Sequence, residues 1–299
     1  VDREGVVWFG TDRGVCRFDP QSPRVESIGG SAESNFVRTL YQTSDGRVLA
    51  GTNRGLFLYD GATQTWLTVT DLARNIIYAI TEDKYGRLLV GSASGFFVGA
   101  RPEPESQTES QAFTRVEASA GNADAVGSIR AITRFRDGIY FASFKRGVEL
   151  FEDPRVRIVW PREGGGTREV ISLLADGDTR LLIGTTNDGV FSFDGQEAEA
   201  DPAFAKLRDS TVRSIARTSD GTLWFATNRG VYLCRSGYDC VVAGPEFDAR
   251  SLVAIRASNS NGVWCATTGG GLVKIVLDDQ LGPIVAQSQP SPAQSPEQP

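Results

Sequence analysis

A short block recurs seven times along the 299-residue chain, and it restricts the fold more than any other property of the sequence. It reads Val-Trp-Phe-Gly-Thr at 7–11, Val-Leu-Ala-Gly-Thr at 48–52, Leu-Leu-Val-Gly-Ser at 88–92 and Ile-Tyr-Phe-Ala-Ser at 139–143. It returns as Leu-Leu-Ile-Gly-Thr at 181–185, Leu-Trp-Phe-Ala-Thr at 223–227 and Val-Trp-Cys-Ala-Thr at 263–267. The small fourth residue stands at 10, 51, 91, 142, 184, 226 and 266, giving steps of 41, 40, 51, 42, 42 and 40. Within the one long step, residues 101–111 form a polar Pro/Glu/Ser run that reads as a solvated loop.

Every copy follows the same order. A β-rich run comes first, as in Val37–Tyr41, Ile129–Ile132 and Val212–Ile215. A turn dipeptide follows, for example Asp45-Gly46, Asp176-Gly177 or Asp220-Gly221, and predicts a type I′ hairpin in which both residues take φ > 0. After the block come a second Gly turn, a third run such as Leu56–Tyr59, and a looser fourth run such as Trp66–Val69 or Phe113–Val116. Four short antiparallel strands per ~40 residues, repeated, is the signature of a β-propeller. The middle strands are apolar at consecutive positions, as when both faces of a sheet are covered, and the small Gly or Ala fits close approach of the next sheet. Helical readings fail for lack of a 3.6-residue period. The prediction is an all-β, seven-bladed β-propeller of four-stranded antiparallel blades with an incomplete N-terminal blade.

Six first strands are legible, from Val37, Ile77, Ile129, Val170, Val212 and Leu252, against seven second strands. The missing strand of the first blade is expected either from upstream sequence or from a return of the segment around Ile284-Val285. The propeller is accordingly set at residues 1–284, and residues 285–299 are read as a Pro/Gln/Ser-rich tail or linker. The chain opens at Val1 in the middle of a motif and contains no Met, so it is expected to be a piece of a longer protein.

Composition narrows the function classes. There is no His, which removes the commonest general base, the commonest metal ligand and any phospho-accepting histidine. With 31 basic and 37 acidic residues the formal charge is −6, which argues against a nucleic-acid surface. No apolar run approaches the ~18 residues of a membrane span, and no Cys-x-x-Cys spacing suggests zinc.

The unit Asp-Gly-x-Leu-Trp-Phe-Ala-Thr-Asn-Arg-Gly-Val-Tyr at 220–232 resembles the two-component regulator propeller repeat, as do residues 51–60 and 8–19. The resemblance spans about residues 2–277. It implies the extracytoplasmic, periplasmic ligand-sensing part of a bacterial membrane receptor, with a kinase, cyclase or DNA-binding output module elsewhere in the longer protein. It brings no catalytic residue set and no cofactor, and it admits a homodimer.

The turns between second and third strands carry the candidate ligand-binding residues: Arg13, Asn53, Arg54, Lys145, Arg146, Asn187, Asn228 and Arg229. Converging guanidinium groups suit a carboxylate or sulfate on an acidic sugar or a small anion. Turn chemistry alone also accounts for solvated polar residues there. Thr11, Thr52, Ser92, Ser143, Thr185, Thr227 and Thr267 follow the small residue in every copy, and they are expected to bond their own turn backbone. Trp8, Trp224 and Trp264 exchange with Leu and are expected to pack. Cys234 and Cys240, symmetric about Gly237, are a disulfide candidate, whereas Cys16 and Cys265 read as inert packing residues. Asp12, Glu169, Asp188 and Asp209 are candidate acids for a calcium ion, although the sequence does not place them together. The expected function is a non-catalytic sensor propeller that holds a small anionic or carbohydrate ligand. A protein-interaction scaffold is the alternative, and a propeller lyase or hydrolase the third.

Overall fold

In a computed structural model, residues 6–18, 24–102, 113–116, 127–161, 168–235, 240–243, 252–258, 262–267, 271–278 and 282–289 are described. The chain is all-β, with seven consecutive antiparallel sheets in the pattern of a seven-bladed β-propeller. The first sheet has three strands, β1 (Val7–Gly10), β2 (Val15–Phe18) and β3 (Arg24–Glu26). The second holds β4 (Val37–Gln42), β5 (Val48–Thr52), β6 (Gly55–Asp60) and β7 (Thr65–Val69). The third holds β8 (Ile77–Glu82), β9 (Leu88–Ser92), β10 (Gly95–Gly99) and β11 (Thr114–Arg115). In the fourth are β12 (Ile129–Phe135), β13 (Gly138–Ser143), β14 (Gly147–Glu152) and β15 (Arg155–Trp160). These four sheets make up a first compact unit, Val1–Val170.

The second unit, Ile171–Pro299, takes up the chain at the start of the fifth sheet. That sheet comprises β16 (Val170–Asp176), β17 (Arg180–Thr185), β18 (Val190–Phe193) and β19 (Ala198–Ala200). The sixth comprises β20 (Val212–Arg217), β21 (Leu223–Thr227), β22 (Gly230–Cys234) and β23 (Val241–Ala243). The seventh comprises β24 (Leu252–Ala257), β25 (Gly262–Thr267), β26 (Gly271–Asp278) and β27 (Gly282–Gln289).

One of the two open sources of the first sheet's missing strand is excluded, and one expectation is corrected. The segment around Ile284-Val285 does not complete the first sheet: it lies in β27, where Val285 pairs with Ile275 and Ile284 with Val276. The 284/285 boundary therefore falls inside a strand, and of the expected tail only residues 290–299 lie outside the described residues. Secondly, the Asp-Gly turns are not type I′. Gly46 and Gly221 take φ of 99° and 85°, but neither preceding Asp has a positive φ. Gly46 N donates to Thr43 O and Thr43 N to Arg47 O, the hydrogen bonding of a type I turn closed by a glycine bulge. The Asp is selected for its oxygens: Asp220 Oδ1 accepts from Thr218 Oγ1 at 2.6 Å and from Thr222 N at 3.1 Å. Among the described residues, helix is confined to one capped turn, Ala32–Asn35, and two 3₁₀ segments, Thr70–Leu72 and Pro202–Leu207.

Packing follows the apolar pattern of the middle strands. Every residue of β5, β9 and β21 is buried, which requires cover on both faces. Leu49, Leu58, Ile77 and Leu88 form one core between the second and third sheets. Phe96, Ile129 and Phe141 belong to the next, with the Phe96 and Phe141 rings stacked at 4.9 Å. In the second unit, Trp224, Leu252, Ile255 and Cys265 share a core between the sixth and seventh sheets. The small fourth residue of the block is what lets neighbouring sheets meet: a Cβ on Gly51 would lie 2.6 Å from Ile77 Cγ2.

Candidate functional site

The residues that set this molecule's surface chemistry apart sit at a repeated irregularity. Between first and second strands, the register shifts at Val37/Thr39, Ile77/Ala79, Ile129/Ala131, Val212/Ser214 and Leu252/Ala254. The residues skipped by these bulges are Arg38, Tyr78, Arg130, Arg213 and Val253. A bulge releases a side chain from the alternation of the strand and re-aims it.

In the first unit β4, β8 and β12 lie side by side, and their bulged side chains meet. The Arg130 guanidinium carbon stands 4.0 Å from the Tyr78 ring centre and 5.0 Å from that of Phe144. Arg38 stands 5.2 Å from the same Tyr78 ring and 5.0 Å from Phe36. Arg38 Nε donates to Asn53 Oδ1. Arg130 Nε is buried and has no hydrogen-bond partner. Among the described residues no carboxylate pairs with Arg38 or Arg130. Ring stacking contributes roughly 0.5–2 kcal/mol per cation, but a buried donor left unmade costs about 1–3 kcal/mol. In the second unit, Arg213 Nη1 is likewise buried without a partner.

The candidates read from sequence lie at the same end of their sheets, in the turns. Asn53 joins the cluster through Arg38. Arg54 is exposed and stands 4.0 Å from the exposed Glu33, and Arg13 and Lys145 are exposed, Lys145 with φ of 74°. Arg146 is drawn inward, its Nη2 lying 3.3 Å from Glu149 Oε2. Asn187 is exposed; Asn228 Oδ1 accepts from Thr211 N at 3.0 Å, and Arg229 Nη1 donates to Arg208 O at 3.5 Å.

The hydroxyl row is structural in six copies. Thr11, Thr52, Ser92, Thr185, Thr227 and Thr267 each donate to the carbonyl of their turn Gly at 2.8–3.1 Å. The same hydroxyls of Thr11, Thr52 and Thr227 accept from the N–H of Arg13, Arg54 and Arg229 at 3.0 Å. Ser143 is the exception, since its buried Oγ does not donate to its turn glycine. It neighbours Glu149, which is 0% exposed, and its hydroxyl and the Arg146 guanidinium both favour the ionised carboxyl. Burial pushes the Glu149 pKa up, against the opposing pull of Arg146.

Trp224 is fully buried and its indole N–H donates to Thr218 Oγ1 at 3.2 Å, while Trp8 packs edge-on to Tyr59 and Trp66. Cys234 and Cys240 are joined in a disulfide across the β22–β23 hairpin, with Cα atoms 4.2 Å apart. Cys16 and Cys265 are buried free thiols, pushed up to about 11 and about 12 by desolvation. Among the described residues no group of three or more His, Cys, Asp or Glu is placed to hold a metal ion, so Asp12, Glu169, Asp188 and Asp209 form no such group.

Sequence reasoning passed over Arg38, Tyr78 and Arg130. The two arginines carried a signal, a long cation directly after the apolar first residue of a strand, in Val37-Arg38-Thr39-Leu40, Ile129-Arg130-Ala131-Ile132 and, in the second unit, Val212-Arg213-Ser214-Ile215, whereas Ile77-Tyr78-Ala79-Ile80 carries none.

Comparison with known proteins agrees with the fold. Residues 206–229 match the family model described as two component regulator propeller. No curated protein matches the chain by sequence. Among solved structures, the chain is similar to the extracellular domain of a protein described as a hybrid two component system from B. thetaiotaomicron, with a TM-score of 0.72 and 18% identity. That match covers 91% of this chain and 37% of the other, so the chain spans little more than a third of that domain. It is also similar to a catalytically inactive virginiamycin B lyase from Staphylococcus aureus with quinupristin, at a TM-score of 0.74 and 13% identity over 93% of both chains. At these identities the likeness is one of fold. No helix among the described residues is long and apolar enough to cross a membrane.

Proposed function

We propose that this chain is the sensing propeller of a bacterial signalling receptor, placed outside the cytoplasm, and that it binds a small anionic ligand without chemically altering it. The observation that carries this reading is Arg130, whose Nε is buried and unpartnered between the rings of Tyr78 and Phe144. A guanidinium left in this state is a binding device, because a carboxylate or sulfate oxygen satisfies it through a charge-assisted hydrogen bond. The regulator-propeller repeat at 206–229 and the likeness to a receptor extracellular domain support the sensing role. The Cys234–Cys240 disulfide supports an oxidising compartment. An output module in the same longer protein would receive the signal.

The likeness to a lyase raises a catalytic reading. It is disfavoured by the lack of any His in the chain to serve as general base. The reading is tested by a thermal-shift screen of organic acids, acidic sugars and sulfate against the wild type and Arg130→Gln. A ligand present at 100 times its Kd adds about 2.7 kcal/mol of stability. At least one acid should raise the melting temperature of the wild type and fail to do so for Arg130→Gln. Stabilisation that survives Arg130→Gln but is lost in Arg54→Ala with Arg229→Ala would move the site to the turns. The absence of any stabilising anion would overturn the reading.

A further inference from the structure

We infer that the ligand of the Arg38–Tyr78–Arg130 cluster is an organic dianion, with two acid groups joined by a short apolar spacer; this rests on the anion-binding reading above. Two unpaired guanidinium groups flank one ring, Arg130 at 4.0 Å and Arg38 at 5.2 Å from the centre of Tyr78. A single monoanion leaves one of these charges uncompensated, whereas a dianion neutralises both.

The donors left open differ on the two sides. Arg130 keeps its Nε buried and unpartnered, so its Nε–Nη edge has no protein acceptor and would meet a planar carboxylate that reaches it as a two-pronged fork. Arg38 has committed its Nε to Asn53 Oδ1, and only its terminal amino groups remain to meet a second acid group. Arg130 is half-buried and Arg38 exposed, so one acid group is held deep and the other at the rim. Rings fill the space around the charges: Tyr78 is half-buried and Phe36 is 38% exposed with Arg38 over its face. Carbon between the acid groups finds an apolar wall there, which two separate inorganic ions do not need.

The experiment is calorimetric titration of the wild type, Arg38→Gln, Arg130→Gln and Arg130→Lys with glutarate, adipate, butyrate and sulfate. Folding of each variant is checked by its melting temperature without ligand. A diacid should bind the wild type at least tenfold more tightly than butyrate or sulfate. Arg38→Gln should reduce the diacid to the affinity of butyrate and leave butyrate unchanged. Arg130→Gln should weaken both, and Arg130→Lys should not restore them, since it keeps the charge but loses the fork. If butyrate equals the diacids and both still depend on Arg130, the dianion inference fails while the anion-binding reading stands. Sulfate binding as tightly as the diacids also overturns it, by showing that charge alone is read. If no anion depends on Arg130, both fall.

Discussion

Glu149 has no exposed surface, and its carboxyl group faces the Arg146 guanidinium, at 3.3 Å, and the Ser143 hydroxyl. Burial lifts its pKa from the ordinary 4.5, so between that value and the raised one the folded protein holds a proton that the unfolded chain has released. Stability from this group is therefore greatest below 4.5 and declines as pH rises through the window. Glu149→Gln keeps the shape and removes the ionisation. Urea denaturation from pH 4 to 8 should show a flatter profile for the variant, and identical slopes would place the carboxyl in contact with water. The thiols give a second prediction. With Cys16 and Cys265 buried and pushed up to about 11 and about 12, neither forms thiolate near neutrality, so a thiol reagent should label neither in the folded protein and both after unfolding.

At the scale of the element, the block Val-Leu-Ala-Gly-Thr shows why each place in the repeat is occupied as it is. A Cβ on Gly51 would come within 2.6 Å of Ile77 Cγ2, and one on Gly91 within 2.6 Å of Ile129 Cγ2. Gly51→Val should destabilise by about 1–3 kcal/mol through overpacking, measured by chemical denaturation. In the same strand Thr52 Oγ1 donates to Gly55 O and accepts from Arg54 N, so Thr52→Val should cost about 1–2 kcal/mol. These roles were legible, because a run of consecutive apolar residues closed by a small residue and a hydroxyl acts within a single strand. All six first strands begin where the sequence places them, from Val37 to Leu252. Turn type was not legible: Asp45 and Asp220 suggest φ > 0, whereas their oxygens serve the turn from an ordinary backbone conformation. The bulges were hidden for a related reason. Whether Arg38 is paired or skipped depends on how β4 registers against β5, a relation between strands that neither strand's pattern contains.

For the whole molecule, seven sheets of the propeller pattern follow from seven blocks, down to the three-stranded first sheet. The location of the candidate site does not follow in this way. It is made where β4, β8 and β12 of different repeats come together, 40 and then 52 residues apart in sequence, so no single repeat displays it. In the second unit the Cys234–Cys240 link closes a loop with a sequence separation of 6. Its reduction should cost about 2 kcal/mol by loop-closure entropy, read as a lower melting temperature with reductant, and an unchanged value would show that the link adds nothing to stability. The proposed sensing role depends on whether Arg130 takes up an anion. The most direct measurement is the Nε–H resonance of Arg130, followed by NMR in arginine-labelled protein during titration with glutarate. A large saturable shift of that resonance, absent from the spectrum of Arg130→Gln, is the expected result. A resonance that stays fixed while glutarate moves the arginines of the turns would contradict it.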